Sequence, residues 1–117
     1  MTRGRLERGR RGEDLAAAWY LARGYEVIDR NWRIAGGELD IVAASAGVLV
    51  FCEVKARSSD RFGTPAEAVG PLKQRRLREL AISYLAAWPA GRPRPGRIRF
   101  DVAAVSGDTV EVIEAAF

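Results

Sequence analysis

The sequence predicts a single α/β domain, running helix, three strands, helix, two strands. Three observations carry this reading. Two separated stretches repeat apolar residues at helical spacing: Leu15, Ala18, Trp19 and Ala22, then Leu77, Leu80, Ala81, Tyr84, Leu85 and Trp88. Between and after them, short segments rich in Val, Ile and Phe alternate apolar and polar residues and are broken by Gly, as strands do. A chain of 117 residues that is 48% hydrophobic can fill one core but not two.

Residues 1–11 are rich in Arg and Gly without apolar periodicity, and are expected to form a disordered basic arm ahead of a single domain over 12–117. This arm holds Arg3, Arg5, Arg8, Arg10 and Arg11 against Glu7, which accounts for the whole net charge of +4. The domain is neutral overall, so affinity for a polyanion must come from the arm or from local clustering. A solubilising tail and a nucleic-acid-binding arm explain the segment equally well.

The first helix is expected over 13–23, with Glu13 and Asp14 at its positive end and Gly24 closing it. A strand follows over 25–33, and Gly36-Gly37 turns the chain. Along the strand over 37–44, Glu38, Asp40 and Val42 face one side and Leu39, Ile41 and Ala43 the other. Ala46-Gly47 suits a two-residue turn. Over 48–55, Leu49, Phe51, Glu53 and Lys55 face one way and Val48, Val50, Cys52 and Val54 the other. Connections this short make the three strands antiparallel. The turn then sets Asp40 opposite Glu53 on a shared face.

Residues 56–70 leave the sheet beside that pair, as an ordinary connector or as a mobile substrate-side loop. The second helix is expected over 71–87, from Pro71 to the Trp88-Pro89 stop. Lys73, Arg75, Arg76 and Arg78 crowd its first two turns against the helix dipole, which points to an anion-binding face. Gln74 shares the sheet-facing stripe with Leu77 and Ala81. A stiff basic connector over 89–97 leads to a fourth strand over 97–105, then a Ser106-Gly107-Asp108 turn and a short fifth strand over 109–113. Asp101, opposite in face to Phe100, reads as the partner of a neighbouring Arg.

Composition removes several chemistries. With no His, neither a Ser-His-Asp nor a Cys-His nucleophile can form, and one Cys makes neither an intrachain disulfide nor a structural zinc site. The apolar runs are too short to span a bilayer and no secretory signal is visible, so no membrane partner and a cytoplasmic location are expected. What the hairpin does suit is a hard divalent cation. Asp40 and Glu53 across a strand pair offer carboxylate oxygens to Mg²⁺ or Mn²⁺, with the Val54 carbonyl as a further ligand. Lys55 lies two residues past Glu53 on the same face, where an ammonium can orient a water or balance charge on phosphorus. Of the 19 cations 17 are Arg, so a Lys at this position is notable. The competing reading is an ordinary Glu–Lys pair beside an Asp on a strand face.

The combination of Gly12-Glu13, Arg30-Asn31-Trp32-Arg33, Gly37-Glu38-Leu39-Asp40-Ile41, Glu53-Val54-Lys55, the second helix and Arg99-Phe100-Asp101 resembles the YraN-like family. That family is in turn similar to the PD-(D/E)xK nucleases and to Holliday-junction resolvases. The resemblance spans about residues 12–105. It implies a restriction-endonuclease-like three-layer fold around a mixed sheet, metal ligation by Asp40 and Glu53, the catalytic lysine role for Lys55, and Glu13 as an accessory acid. Gln74 joins this catalytic set at the place of a helix Gln in RecB-like relatives, although Arg78 stands where those carry a Tyr. No Pro precedes the first acid. The implied activity is metal-dependent hydrolysis of DNA, branched or structured DNA included, with Lys73, Arg75, Arg76 and Arg78 holding phosphates and a homodimer expected on a four-way junction. A catalytically silent nucleic-acid-binding module and a protein-interaction adaptor are the alternatives.

Overall fold

The computed structural model describes residues 3–56 and 69–117. In chain order its elements are α1 (Arg3–Ala22), β1 (Glu26–Ile34), β2 (Gly37–Ser45), β3 (Val48–Ala56), α2 (Pro71–Ala86), β4 (Arg97–Ser106) and β5 (Thr109–Ile113). Five strands form one mixed sheet in the order β1-β2-β3-β4-β5. All neighbours are antiparallel except β3 and β4, which run parallel because α2 carries the chain back between them. The 56–70 connector falls mostly on residues outside those described.

Each face of the sheet carries one helix. On the α2 side, Leu77, Leu80 and Ala81 pack with Leu39, Val42, Leu49, Phe51, Phe100 and Val102. On the α1 side, Ala16, Ala17 and Tyr20 pack with Ile41, Ala43, Val50, Cys52 and Ala103. The β3 alternation therefore holds as expected. The Ala46-Gly47 turn also holds: both residues have positive φ, 46° and 81°, which matches the twist of the flanking strands.

Three features differ from the expectation. First, α1 begins at Arg3, ten residues before Glu13 and within the segment read as disordered. Once the downstream turns are docked, each upstream residue adds a hydrogen bond without a new nucleation cost, and Arg is a good helix former. Second, the buried stripe of α1 is Gly12, Ala16, Ala17 and Tyr20, whereas Ala18 and Ala22 are exposed. Small residues here let the helix lie close to the sheet; the space at Gly12 is bounded by Val54 and Val105.

Third, Leu39 sits in the α2-side core with Val42, although alternation places it with Ile41. The switch occurs opposite an irregularity in β1. Asn31 has φ 53°, and its flanking residues Arg30 and Trp32 pair with Ile41 and Leu39. One left-handed residue in a strand resets which face the next side chains take.

Candidate functional site

The site forms where regular pairing stops. The β2–β3 ladder runs from Ser45–Val48 to Ile41–Cys52. The ladder stops one residue short of Asp40 and Glu53, the pair expected to stand opposite one another. Beyond that point a side chain replaces the backbone acceptor: the Val54 N–H donates to Asp40 Oδ2 at 2.9 Å. This bond fixes the Asp40 carboxylate against the end of β3.

Glu53 is buried, at 8% exposure, on the α2 side of the sheet. Burial is the largest cause pushing its pKa up to about 8, followed by the charge of Asp40 and a side-chain hydrogen bond between the two acids. Lys73 and then Lys55 act in the opposite direction. Lys73 Nζ stands 3.7 Å from Glu53 Oε2. The two lysines of the chain, Lys55 and Lys73, thus both act on this carboxylate. The Arg bias that singled out Lys55 applied equally to Lys73, which was assigned to the phosphate-holding face instead.

A pocket of about 260 Å³ opens beside Asp40, lined by Gly12, Glu13, Glu38, Val54, Ala56 and Val105 as well. Three carboxylates therefore reach one cavity, from α1 and from β2. Glu38 also pairs with Arg33 at 2.6 Å. Its place two residues before Asp40 was visible in the sequence, yet it was not counted as a site residue. Glu13 Oε2 is buried with no hydrogen-bond partner among the described residues. Burial raises the Glu13 pKa; Asn31 opposes this, and the charge of Asp40 adds to it.

The remaining expected residues divide. Gln74 is half-buried and its amide donates to the Val69 carbonyl at 2.9 Å, tying down the entry to α2. Arg76 donates to the Gly36 carbonyl in the β1–β2 turn. Arg78 lies over the rings of Phe100 and Phe117, 4.9 and 5.5 Å from their centroids. Arg75 is exposed. All four cations of α2 are exposed, and Lys73, Arg76 and Arg78 each meet a different neighbour.

Asp40 and Glu53 interact closely enough for each charge to bear on the other, and carboxylate oxygens are the donors a hard divalent cation takes. Among the described residues no three His, Cys, Asp or Glu side chains already stand together as a complete metal-ligand group. Cys52, on the opposite face and buried, has its thiol pushed up to about 12, chiefly by burial, and is no candidate nucleophile.

The family described as "Uncharacterised protein family UPF0102" matches residues 12–105, from Gly12 within α1 to the end of the β3–β4 ladder. The chain belongs to this family. It is 52% identical over 97 residues to a UPF0102 protein of Streptomyces griseus, covering 83% of this chain and 80% of the relative. A UPF0102 protein of Moorella thermoacetica is 48% identical over the full length of both chains. One from Thermodesulfovibrio yellowstonii is 40% identical over 97% of each. The resemblance to the YraN-like family drawn from the sequence is thereby borne out. No described helix of this UPF0102 chain is long and apolar enough to cross a membrane.

Proposed function

We propose that this UPF0102 chain is a metal-dependent endonuclease that hydrolyses phosphodiester bonds in DNA, with branched or otherwise structured DNA as its substrate class. The observation that carries the reading is the buried Glu53, paired with Asp40 and flanked by both lysines of the chain. Two acids forced together in a partly dry site are costly unless a proton or a cation joins them. Asp40 and Glu53 would hold Mg²⁺ or Mn²⁺, with Glu13 as the accessory acid. Such an ion, when bound, acidifies a water and polarises a phosphoryl oxygen.

The protein's own contribution is placement and charge. Asp40 is oriented by the Val54 N–H, and Glu53 by a central strand paired on its other side to β4. Lys55, half-buried beside Glu53, balances the charge that develops on phosphorus. Lys73 reaches the same carboxylate from α2, which keeps the acid pair from carrying an uncompensated double charge. No protein nucleophile is needed, in keeping with a chain that has no His. The order of helix, three antiparallel strands, crossover helix and parallel strand supports the restriction-endonuclease-like reading of the mixed sheet. Cutting both strands of a four-way junction calls for two such sites, hence a homodimer on that substrate.

The test is cleavage of labelled duplex, single-stranded, flap and four-way-junction DNA in Mg²⁺ or Mn²⁺. Wild type is compared with Asp40→Ala and Glu53→Ala, each checked for folding by circular dichroism. Cleavage that either substitution abolishes in folded protein supports the nuclease, and the preferred substrate identifies its class. Binding without cleavage in either metal makes the chain a silent nucleic-acid-binding module. Neither binding nor cleavage removes DNA from the reading altogether.

A further inference from the structure

β4 is covered along only part of its outer edge. β5 pairs with it from Ser106–Thr109 to Val102–Ile113, and the Ala116 N–H then donates to the Phe100 carbonyl at 2.8 Å. Among the described residues β4 has no partner on that side before Phe100. The Phe100 carbonyl points outward, and alternate residues of a strand turn their backbone groups the same way. The N–H and carbonyl of Ile98 therefore form a free edge, of the kind that accepts a further strand.

A groove of about 490 Å³ lies along this edge. Its walls are aliphatic, from Ile82 and Leu85 of α2 and Ile98 of β4, with Phe100 and Phe117 stacked among them. Ile82 is 69% exposed and Ile98 42%, so two large apolar side chains stand in water here. Arg78, Arg97 and Arg99 also line the groove, and no acidic side chain among the described residues does. Arg99 is neutralised by Asp101 and Glu114, at 2.8 and 3.2 Å. Arg78 and Arg97 have no acidic partner among the described residues.

Alternation along β4 puts Arg97 and Arg99 on the α1 side, and Ile98 and Phe100 on the α2 side. Where the chain covers this edge itself, it answers in kind: Glu114 meets Arg99, and Phe117 stacks on Phe100. We propose that the free edge of β4 and its groove dock an extended segment of another protein in which acidic and apolar residues alternate. The segment adds a strand beside Ile98. Its apolar side chains enter the groove against Ile82 and Leu85, and its carboxylates meet Arg97. A second copy pairing by the same edge would instead set Arg97 and Arg99 against their counterparts, and like charges directly opposite are destabilising. Single-stranded nucleic acid would find cations but mainly aliphatic walls, where stacking platforms are needed. Neither Asp40 nor Glu53 takes part, so the docking stands whether or not the chain cuts DNA.

The test is fluorescence anisotropy with a fluorescein-labelled octapeptide of alternating Glu and Val. Wild type is compared with Ile82→Glu and Arg97→Glu, each checked for folding by circular dichroism. The control peptides carry Lys in place of Glu, or Ser in place of Val. Wild type should bind the Glu–Val peptide saturably and neither control, and each substitution should weaken binding roughly tenfold or more. Both positions are exposed, and should one variant not fold, the other decides. No saturable binding by wild type, equal binding of the Lys–Val peptide, or unchanged binding by a folded variant would overturn the docking. A single-stranded oligonucleotide that binds where the peptide does not, and loses affinity in Ile82→Glu, would make the groove a nucleic-acid surface instead. A dimer seen by analytical ultracentrifugation that excludes the peptide, and that Ile82→Glu dissociates, would make it a contact between copies.

Discussion

The Tyr20 hydroxyl donates to Asp101 Oδ2 at 2.6 Å, and neither residue has exposed surface. Asp101 also receives both arms of Arg99, at 2.8 and 2.9 Å, and the Ala115 N–H at 3.0 Å. Arg99 continues to Tyr25 and Glu114. The network joins α1, β4 and the segment after β5, and burial pushes the Tyr20 ionisation far up. Tyr20→Phe removes one donor and leaves the carboxylate its Arg99 fork. Urea unfolding should show a loss of about 1–3 kcal/mol. Arg99→Ala strands a buried charge, and about 3–5 kcal/mol is expected.

Glu53 gives stability a pH dependence of definite sign. Its folded pKa of about 8 lies above its ordinary value of 4.5, so between those values the folded protein holds a proton that the unfolded chain has released. Metal-free protein should therefore lose stability as pH rises from about 4.5 to about 8, and change little through this group above that. Glu53→Gln should flatten this slope and raise Tm at pH 8 by roughly 5 °C or more. Thermal melts of both proteins in chelator across this range check it. In the same window Mn²⁺ affinity should rise with pH, because the metal competes with that proton.

Arg75 and Arg78 should separate in a salt titration of DNA binding. Exposed Arg75 is free to meet a phosphate, and Arg75→Ala should reduce the slope of log K against log salt by about 0.9 without moving Tm. Arg78 lies over Phe100 and Phe117, so Arg78→Ala should cost about 0.5–1 kcal/mol of stability. Equal slopes for wild type and Arg75→Ala would remove this helix from the DNA surface.

Ala46 occupies a left-handed position in the β2–β3 turn, at φ 46°. Asn is far better suited there, and Asn-Gly is the favoured pair for a two-residue hairpin turn. Ala46→Asn should stabilise the protein by about 0.5–1 kcal/mol. Chemical unfolding provides the measurement, and metal binding should be untouched.

What could be read in advance was what repeats. The arithmetic of a two-residue turn fixed the β2–β3 register, from Ser45–Val48 to Ile41–Cys52. The α2 stripe was legible because Leu77, Leu80 and Ala81 are large or regularly spaced enough to mark a face. The α1 face misled because its packing surface is small. Ala16 and Ala17 say little about direction, while Ala18 and Ala22, two members of the expected stripe, are exposed and only Trp19 of that stripe packs against the core. Asn31 could be quoted as part of a motif but not interpreted. A positive φ inside a strand leaves no periodic trace, nor does the face switch of Leu39 in the strand paired with it. Nor could sequence divide the cations of α2, because Lys73, Arg76 and Arg78 differ in what lies across from them and not in their own chemistry.

The parallel pairing of β3 with β4 has a kinetic meaning. Partners such as Val48–Arg97 and Ala56–Val105 are about fifty residues apart in the chain, whereas the β1–β2 and β2–β3 pairs close over tight turns. Loop-closure entropy thus falls on the last half of assembly. Glu13, Asn31, Asp40, Glu53 and Lys55 all belong to the half that can form first, so the acids can meet while β3 is still open along one side. That open side is the apolar strand Val48–Ala56, an unpaired edge of the kind that recruits other chains. The helix–meander half thus brings the acids together, and pairing with β4 covers the edge that would otherwise invite self-association.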